Sequence, residues 1–305
     1  VTRWATLAKQ VLFATGVHGR RLRRDPFPGV AVLCYHGVQE PGATAPMTGG
    51  ALHVRTPTLE AHCRVLASLC TPISGAQFLA ASTGGIPLPP RAVLVTFDDG
   101  YRGVLTQALP VLARHGIPAV VFACTGPIAR GERFWYDAVA MREGDASVER
   151  LKAGPYEVWR RRAAAAAVPA AVRDPNAPLS VDELRVLGAH PLIEIGAHTV
   201  EHPILAAAPP DEQEREIAGS RDMLTAWLGT PPSLFAYPNG RPGLDYTPDT
   251  VARVAAHYRD AFAVGEAFTA PGRQQYEQRR FLMLDSCDGP ELAHRLAVSW
   301  PRARS

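Results

Sequence analysis

Neither sign of charge dominates this chain, none of its cysteines form a Cys-x-x-Cys pair, and no apolar run is long enough to cross a bilayer. Lys+Arg 32 against Asp+Glu 29 leaves a formal charge of only +3, which is no electrostatic footprint for a nucleic acid. The five cysteines, Cys34, Cys63, Cys70, Cys124 and Cys287, are odd in number and scattered. They exclude a disulfide framework and a structural zinc site, and read as small buried hydrophobes. Lysine is nearly missing, with only Lys9 and Lys152; arginine supplies the rest of the positive charge, a matter of base composition rather than mechanism. The sequence also holds no Gly-x-Ser-x-Gly elbow, no His-Glu-x-x-His, no Gly-x-Gly-x-x-Gly after a strand and no Walker loop. Each absence removes a common enzyme class.

What is present is an ordinary soluble composition, 47% hydrophobic and 20% charged over 305 residues. That is enough for a real core and too much for disorder. Short apolar runs are expected as strands at Val30–Cys34, Ala92–Phe97, Ala119–Ala123, Leu192–Ile195, Leu234–Ala236, Ala261–Val264 and Phe281–Leu284. They lack polar alternation, as strands buried on both faces do. Helical patterns lie between them, at Thr58–Ser68, Leu105–His115 and Asp211–Leu228, and Ser180 to Glu183 forms a capping box. Strand and helix alternating about seven times predict a parallel α/β barrel or an open doubly wound sheet. We read one domain over 30–305, with a long helical insertion at about 127–180 that carries Phe134-Trp135-Tyr136 and the helical Glu149–Arg162 region. The three aromatics suit either a wall for a sugar ring or the apolar face of a covering helix.

Residues 1–29 stand apart as a basic amphipathic segment, with Trp4, Leu7, Val11, Leu12 and Phe13 interleaved with Arg3 and Lys9 and followed by Arg20, Arg21, Arg23 and Arg24. The apolar stretch is too short to span a membrane and has neither a clean h-region nor a small-residue cleavage site. Two readings stay open: a helix packed on the domain with a solvated arginine tail, or peripheral contact with anionic lipid. The expected location is cytoplasmic or peripheral at the inner membrane face.

Three strings carry chemistry. Asp98-Asp99-Gly100 follows directly on a buried strand, where two adjacent carboxylates repel unless a cation or a raised pKa relieves them. Past the next-but-one strand, His198 and His202 are four apart, so on a helical turn both imidazoles would face one way. Two imidazoles and a carboxylate suit a borderline divalent ion with one position left open. The third string, Phe235-Ala236-Tyr237-Pro238-Asn239-Gly240, is a turn able to aim a backbone N–H into a pocket.

Together Thr96-Phe97-Asp98-Asp99-Gly100, His198-Thr199-x-x-His202-Pro203 and the Phe-Ala-Tyr-Pro string resemble the polysaccharide deacetylases of carbohydrate esterase family four, over most of the chain from Val30 to about Leu284. The resemblance implies a distorted (β/α)7 barrel that removes N-acetyl groups from amino-sugar units of a glycan or glycoconjugate. It implies Asp98 as general base and Asp99, His198 and His202 as ligands of a divalent metal, zinc by default with Co2+ or Ni2+ as alternatives. The Tyr237 backbone N–H would form half of an oxyanion hole, the metal the other half. The arginine that often precedes the third motif is replaced by Ser233, Leu234 and Phe235. Of Arg279 and Arg280, we favour Arg280 for its role of orienting the base. The family's Leu-x-His acid finds a match only in Leu292-Ala293-His294, inside a helix, so His36 is the better candidate. The partner is an N-acetylated carbohydrate. The alternatives are an O-acetyl esterase with the same site, an inactive carbohydrate-binding barrel and a membrane-surface scaffold.

Overall fold

The computed structural model describes residues 3–42, 52–84, 86–171, 173–270, 272 and 275–298; residues 1–2 of the N-terminal segment and 299–305 of the expected domain lie outside these. Among the described residues ten strands occur in chain order: β1 (Val30–Tyr35), β2 (Val38–Gln39), β3 (Val54–Arg55), β4 (Thr71–Pro72), β5 (Ala92–Phe97), β6 (Ala119–Ala123), β7 (Ile193–Ala197), β8 (Leu234–Ala236), β9 (Asp260–Phe262) and β10 (Phe281–Leu282). The main sheet runs β10-β1-β5-β6-β7-β8-β9, with β4 beside β5, and every pairing is parallel. A single parallel bridge from Phe262 to Gln278 links β9 to the segment leading into β10, so the sheet curls round on itself. This is the distorted (β/α)7 barrel.

The strand alternation decides what meets inside. Val30, Val32, Ala92, Leu94, Val120, Phe122, Leu234, Ala236 and Phe262 form one buried cluster, plugged by Phe78 and Leu79 of the helix Gly75–Ser82. Their odd-numbered neighbours Ala31, Leu33, Val93, Val95 and Val121 belong to a second cluster shared with the surrounding helices. Because successive side chains point to opposite faces, the inward series run through Cys34 on β1, Thr96 on β5 and Gly196 on β7 and continue into His36, Asp98 and His198 just past the strand ends. His36, Asp98 and His198 thus extend the barrel's inner rows into the pocket.

The helices follow the punctuation in the sequence with two exceptions. The expected helix 105–115 opens with a π-helical turn over Val104–Ala108 before regular helix at Leu109–His115. Pro110 has no N–H and its ring collides with the carbonyl four residues back, which a wider turn relieves. The expected helical region 149–162 is two helices, Asp145–Lys152 and Tyr156–Ala165, broken at Gly154-Pro155. The capping box at Ser180 is present, and helix Pro210–Leu228 ends on Gly229 at φ +80°.

The N-terminal segment forms helices Arg3–Ala14 and Val17–Arg24. They pack on the helix Gly289–Val298 through an ion pair of Lys9 with Glu291 and a contact of 3.2 Å between His18 Nε2 and His294 Nδ1. No helix among the described residues is long and apolar enough to cross a membrane.

Gly196 faces Phe122 directly across the β6–β7 pair, and a Cβ there would sit 2.4 Å from the ring. Gly196→Ala therefore forces the ring to move and is expected to cost about 1–3 kcal/mol, the usual penalty of overpacking. Urea unfolding followed by tryptophan fluorescence measures it.

Candidate active site

One pocket at the carboxyl ends of the strands gathers His36, His53, Asp98, Asp99, Tyr136, Lys152, His198, His202 and Asn239. A larger groove of about 710 Å³ opens elsewhere, near the amino ends of β7 and β8, but among the described residues it holds no cluster of ligating atoms.

Asp98 is 3% exposed, and its two oxygens accept from the two Nη atoms of Arg280 at 2.6 and 2.8 Å. Arg280 is itself fixed: its Nε donates to Ala263 O at 3.1 Å, its Nη1 reaches Thr96 Oγ1 at 3.3 Å, and its guanidinium lies over the rings of Phe122 and Phe262. Burial works to raise the Asp98 pKa, but the Arg280 charge, with His198 and His36 beside it, outweighs burial and holds the carboxyl below its ordinary value. A forked, buried ion pair of this kind keeps a carboxylate charged and oriented. Arg279 does not reach the pocket; it folds back over Gly265 towards Val264 O.

Asp99 adopts φ +71° in the turn after β5, and its Oδ1 is buried with no hydrogen bond. That oxygen lies 3.4 Å from His198 Nε2 and 3.5 Å from His202 Nε2. The spacing is too long for good hydrogen bonds, yet it matches the edge of a tetrahedron with bonds of 2.0–2.1 Å, about 3.3–3.4 Å. His198 Nδ1 donates to Ala236 O at 2.7 Å, which turns the Nε2 lone pair inwards. Burial pushes His202 down to about 3, so it is a neutral donor. Burial also opposes charge on His198, but the two carboxylates prevail and raise it, a sign of how strongly this pocket favours a cation. Asp99 lies far below its ordinary value, burial being outweighed by the imidazoles around it. The three residues fit a small divalent ion.

The two histidines converge through an irregular turn, not a helical one as their spacing suggested. Thr199 and His202 both take positive φ, +66° and +58°. Thr199 Oγ1 accepts the His202 N–H at 3.0 Å, and Trp135 Nε1 donates to His202 O at 3.1 Å. Beneath the turn lies Glu216, fully buried, whose Oε2 accepts the N–H groups of Val200 and Glu201 at 3.0 and 2.7 Å. Burial lifts its pKa to about 7. Glu201 in turn is held by Arg130 through two contacts of 2.6 and 2.8 Å.

The third motif requires a correction. The Tyr237 N–H is already spent on Phe262 O at 3.1 Å, extending the β8–β9 pairing, and the Tyr237 ring is stacked on Tyr246 at 3.9 Å. Its backbone N–H is therefore not free for an oxyanion. Asn239, two residues on and at φ +54°, lines the pocket instead and carries a buried amide nitrogen without a partner. His36 reaches the pocket, half-buried, whereas His294 is engaged with His18 between two outer helices. Phe134, Trp135 and Tyr136 are buried and form the face of a covering helix; Tyr136 also packs on His202 and walls the pocket. The cysteines are all free, and burial raises their pKa values.

Sequence reasoning missed Glu216, His53, Lys152 and Asn239. Glu216 had a readable signal, since it shares a buried helical stripe with Gln213, Ser220 and Leu224, and an acid in such a stripe needs partners. His53 had none; it is buried edge-on against Tyr101, and burial pushes it down to about 3.

Parallel barrel, paired carboxylates and paired imidazoles make this an α/β barrel with a candidate cation site at the carboxyl ends of its strands. Residues 85–259, more than half of the chain, match the polysaccharide deacetylase family, and the chain belongs to that family. It is 35% identical over 102 residues to the poly-β-1,6-N-acetyl-D-glucosamine N-deacetylase of Escherichia coli (strain K12), a match covering 32% of this chain and 15% of that protein. The structure of IcaB from Ammonifex degensii shares the fold with a TM-score of 0.64 at 21% identity, over 90% of this chain and 99% of that one. The Streptococcus pyogenes deacetylase PplD, solved with acetate, does so at 0.63 and 19%, over 89% and 99%.

Two outcomes test this geometry. Glu216→Gln keeps an acceptor oxygen under the turn and should bind Co2+ within a few-fold of the parent. Glu216→Ala strands two buried N–H groups and should lose 10–100-fold in affinity, as for other supports behind metal ligands, read by chelator competition. Arg280 stabilises the charged form of Asp98, so weakening the fork raises the pH needed to ionise it. Arg280→Lys should move the acid limb of kcat/KM upward by about one unit, the lower end of what a neighbouring cation contributes. By the same sign, the Asp98 pair stabilises the fold above the ordinary carboxylate pKa and is lost as pH falls through the depressed one.

Proposed function

We propose that this protein hydrolyses the N-acetyl groups of amino-sugar units in a glycan or glycoconjugate, with a divalent metal, zinc by default, held by Asp99, His198 and His202. The observation that carries the reading is the division of labour between adjacent carboxylates. Asp98 is locked by Arg280 and faces the pocket as a base, while Asp99 keeps a buried oxygen free between two imidazole nitrogens. The name of the E. coli relative, which acts on poly-β-1,6-N-acetyl-D-glucosamine, supports an N-acetylated polysaccharide as substrate.

A divalent ion in such a site supplies Lewis acidity, acidifying a water and polarising the acetyl carbonyl. The residues do the rest. Asp98 takes a proton from the attacking water as the new C–O bond forms. The oxygen of the former carbonyl, now carrying negative charge, is met by the Asn239 donor. As the C–N bond breaks, the amine nitrogen accepts a proton, leaving acetate and a free amino sugar. His36, half-exposed and lining the pocket, is the imidazole placed to deliver this proton; burial pushes the His53 pKa down to about 3 and keeps that ring neutral.

Acetate release from N-acetylglucosamine oligomers should stop after exhaustive chelation and return with Zn2+ or Co2+. Asp98→Asn should keep the metal and lose about 10²–10⁴-fold in turnover, the range for general-base removal. His198→Ala should lose the metal itself. Activity unaffected by chelation overturns the metal reading, and faster acetate release from O-acetylated than from N-acetylated sugars makes the protein an esterase.

A further inference from the structure

The helix Arg3–Ala14 has two unlike sides. One is docked on the barrel, with Phe13 against the core and Lys9 paired to Glu291. The other faces outward, and there Trp4 is 80% exposed, Leu7 50% and Val11 51%. The spacing of three and four puts these three on one stripe, flanked by exposed Thr6, Ala8 and Gln10. From Trp4 to Ala14 this outward side bears no charged group. An exposed helical face normally does.

The next helix is the opposite. Val17–Arg24 carries Arg20, Arg21, Arg23 and Arg24, and none of them pairs with a carboxylate among the described residues. Arg20, Arg21 and Arg24 line a shallow depression with Val17, in which Asp25 is the one acid. Both helices are fixed to the barrel, through Lys9 with Glu291 and His18 with His294, so the apolar stripe and the guanidinium groups are presented by one rigid platform.

We propose that this platform docks the protein on an anionic lipid surface. Trp4, Leu7 and Val11 enter the boundary between headgroups and acyl chains, and the arginines meet the lipid phosphates. Tryptophan suits that boundary, and an apolar stripe plus a basic cluster supplies the two signals that stable peripheral binding needs. A second copy of the chain fits less well. Three side chains expose a few hundred Å² at most, below the roughly 800 Å² per partner of a stable interface. The stripe also offers almost no directed hydrogen bonds, which a fluid surface does not require.

The test is flotation of the whole protein with vesicles of phosphatidylglycerol and phosphatidylcholine in equal parts, and with phosphatidylcholine alone. Binding is expected only to the anionic vesicles and should weaken as salt is raised. Combined Trp4→Ser, Leu7→Ser and Val11→Ser should abolish it. Each of Arg20→Gln, Arg23→Gln and Arg24→Gln should weaken partitioning by about fivefold. All six positions are exposed, so melting temperature and acetate release from a soluble oligomer should stay at parent values. Absence of binding to the anionic vesicles overturns the proposal, as does binding that survives the triple serine variant. A dimer in solution that the triple variant dissociates assigns the stripe to a second copy and overturns it equally.

Discussion

Asp98 and Arg280 form the interaction on which the pocket depends. Both are buried at the carboxyl end of the barrel, and neither is tolerable there alone, because an unpaired buried ion costs several kcal/mol. Their fork satisfies both Asp98 oxygens, and Ala263 O and Thr96 Oγ1 take further guanidinium protons. The two lie 182 residues apart in the sequence and meet because β1 is flanked by β5 and β10. Closing the barrel therefore assembles the pair, and the carboxylate's charge helps hold the last strand in place. With Asp98 committed to arginine, Asp99 is the carboxylate left to face the imidazoles.

The second constraint is conformational. Asp99, Thr199, His202 and Asn239 all adopt positive φ without being glycine. Such backbone costs of order 1–3 kcal/mol per residue and persists only where the surroundings over-determine it. Here they do. The Asp99 carbonyl is held by Cys124 N–H, the turn at 199–202 by Glu216, Thr199 and Trp135, and the Gly240 carbonyl after Asn239 by Val264 N–H. All four strained residues line the pocket or adjoin a residue that does. At these four positions the strain accompanies the chain's departure from regular structure to aim a side chain, and the supporting hydrogen bonds come from the insertion and outer helices as much as from the barrel.

This explains what could be read from the sequence. The strands were legible because buried parallel strands are short continuous apolar runs: β5, β6 and β8 fall on the expected residues, and β7 shifts by only a residue or two. Asp98, Asp99, His198 and His202 were legible because their strings follow those strands. Arg280 was legible only as one of an adjacent pair, and the alternation of β10's approach decides for it over Arg279. Tyr237 was misread because a turn written as a string does not reveal where the strand ladder ends. The ladder runs one residue past β8, so the free donor lies at Asn239. His53 and Lys152 come to the pocket from a loop and an insertion that follow no period, and no local pattern announces them.

The insertion also changes the meaning of the aromatic triplet. An exposed Trp-Tyr wall would read the substrate by stacking, but these rings are buried among themselves, with Phe134 stacked on Tyr136 and Trp135 edge-on to Trp159. Their contribution passes through His202, whose carbonyl Trp135 holds and whose ring Tyr136 covers. A rigid aromatic lid over one imidazole narrows the pocket and excludes water around the candidate ligands, which strengthens every charge interaction within it. The same insertion places Lys152, one of only two lysines in the chain, at the pocket's edge. The barrel therefore supplies the candidate site's carboxylates and imidazoles, while the segment between β6 and β7 decides how tightly they are enclosed.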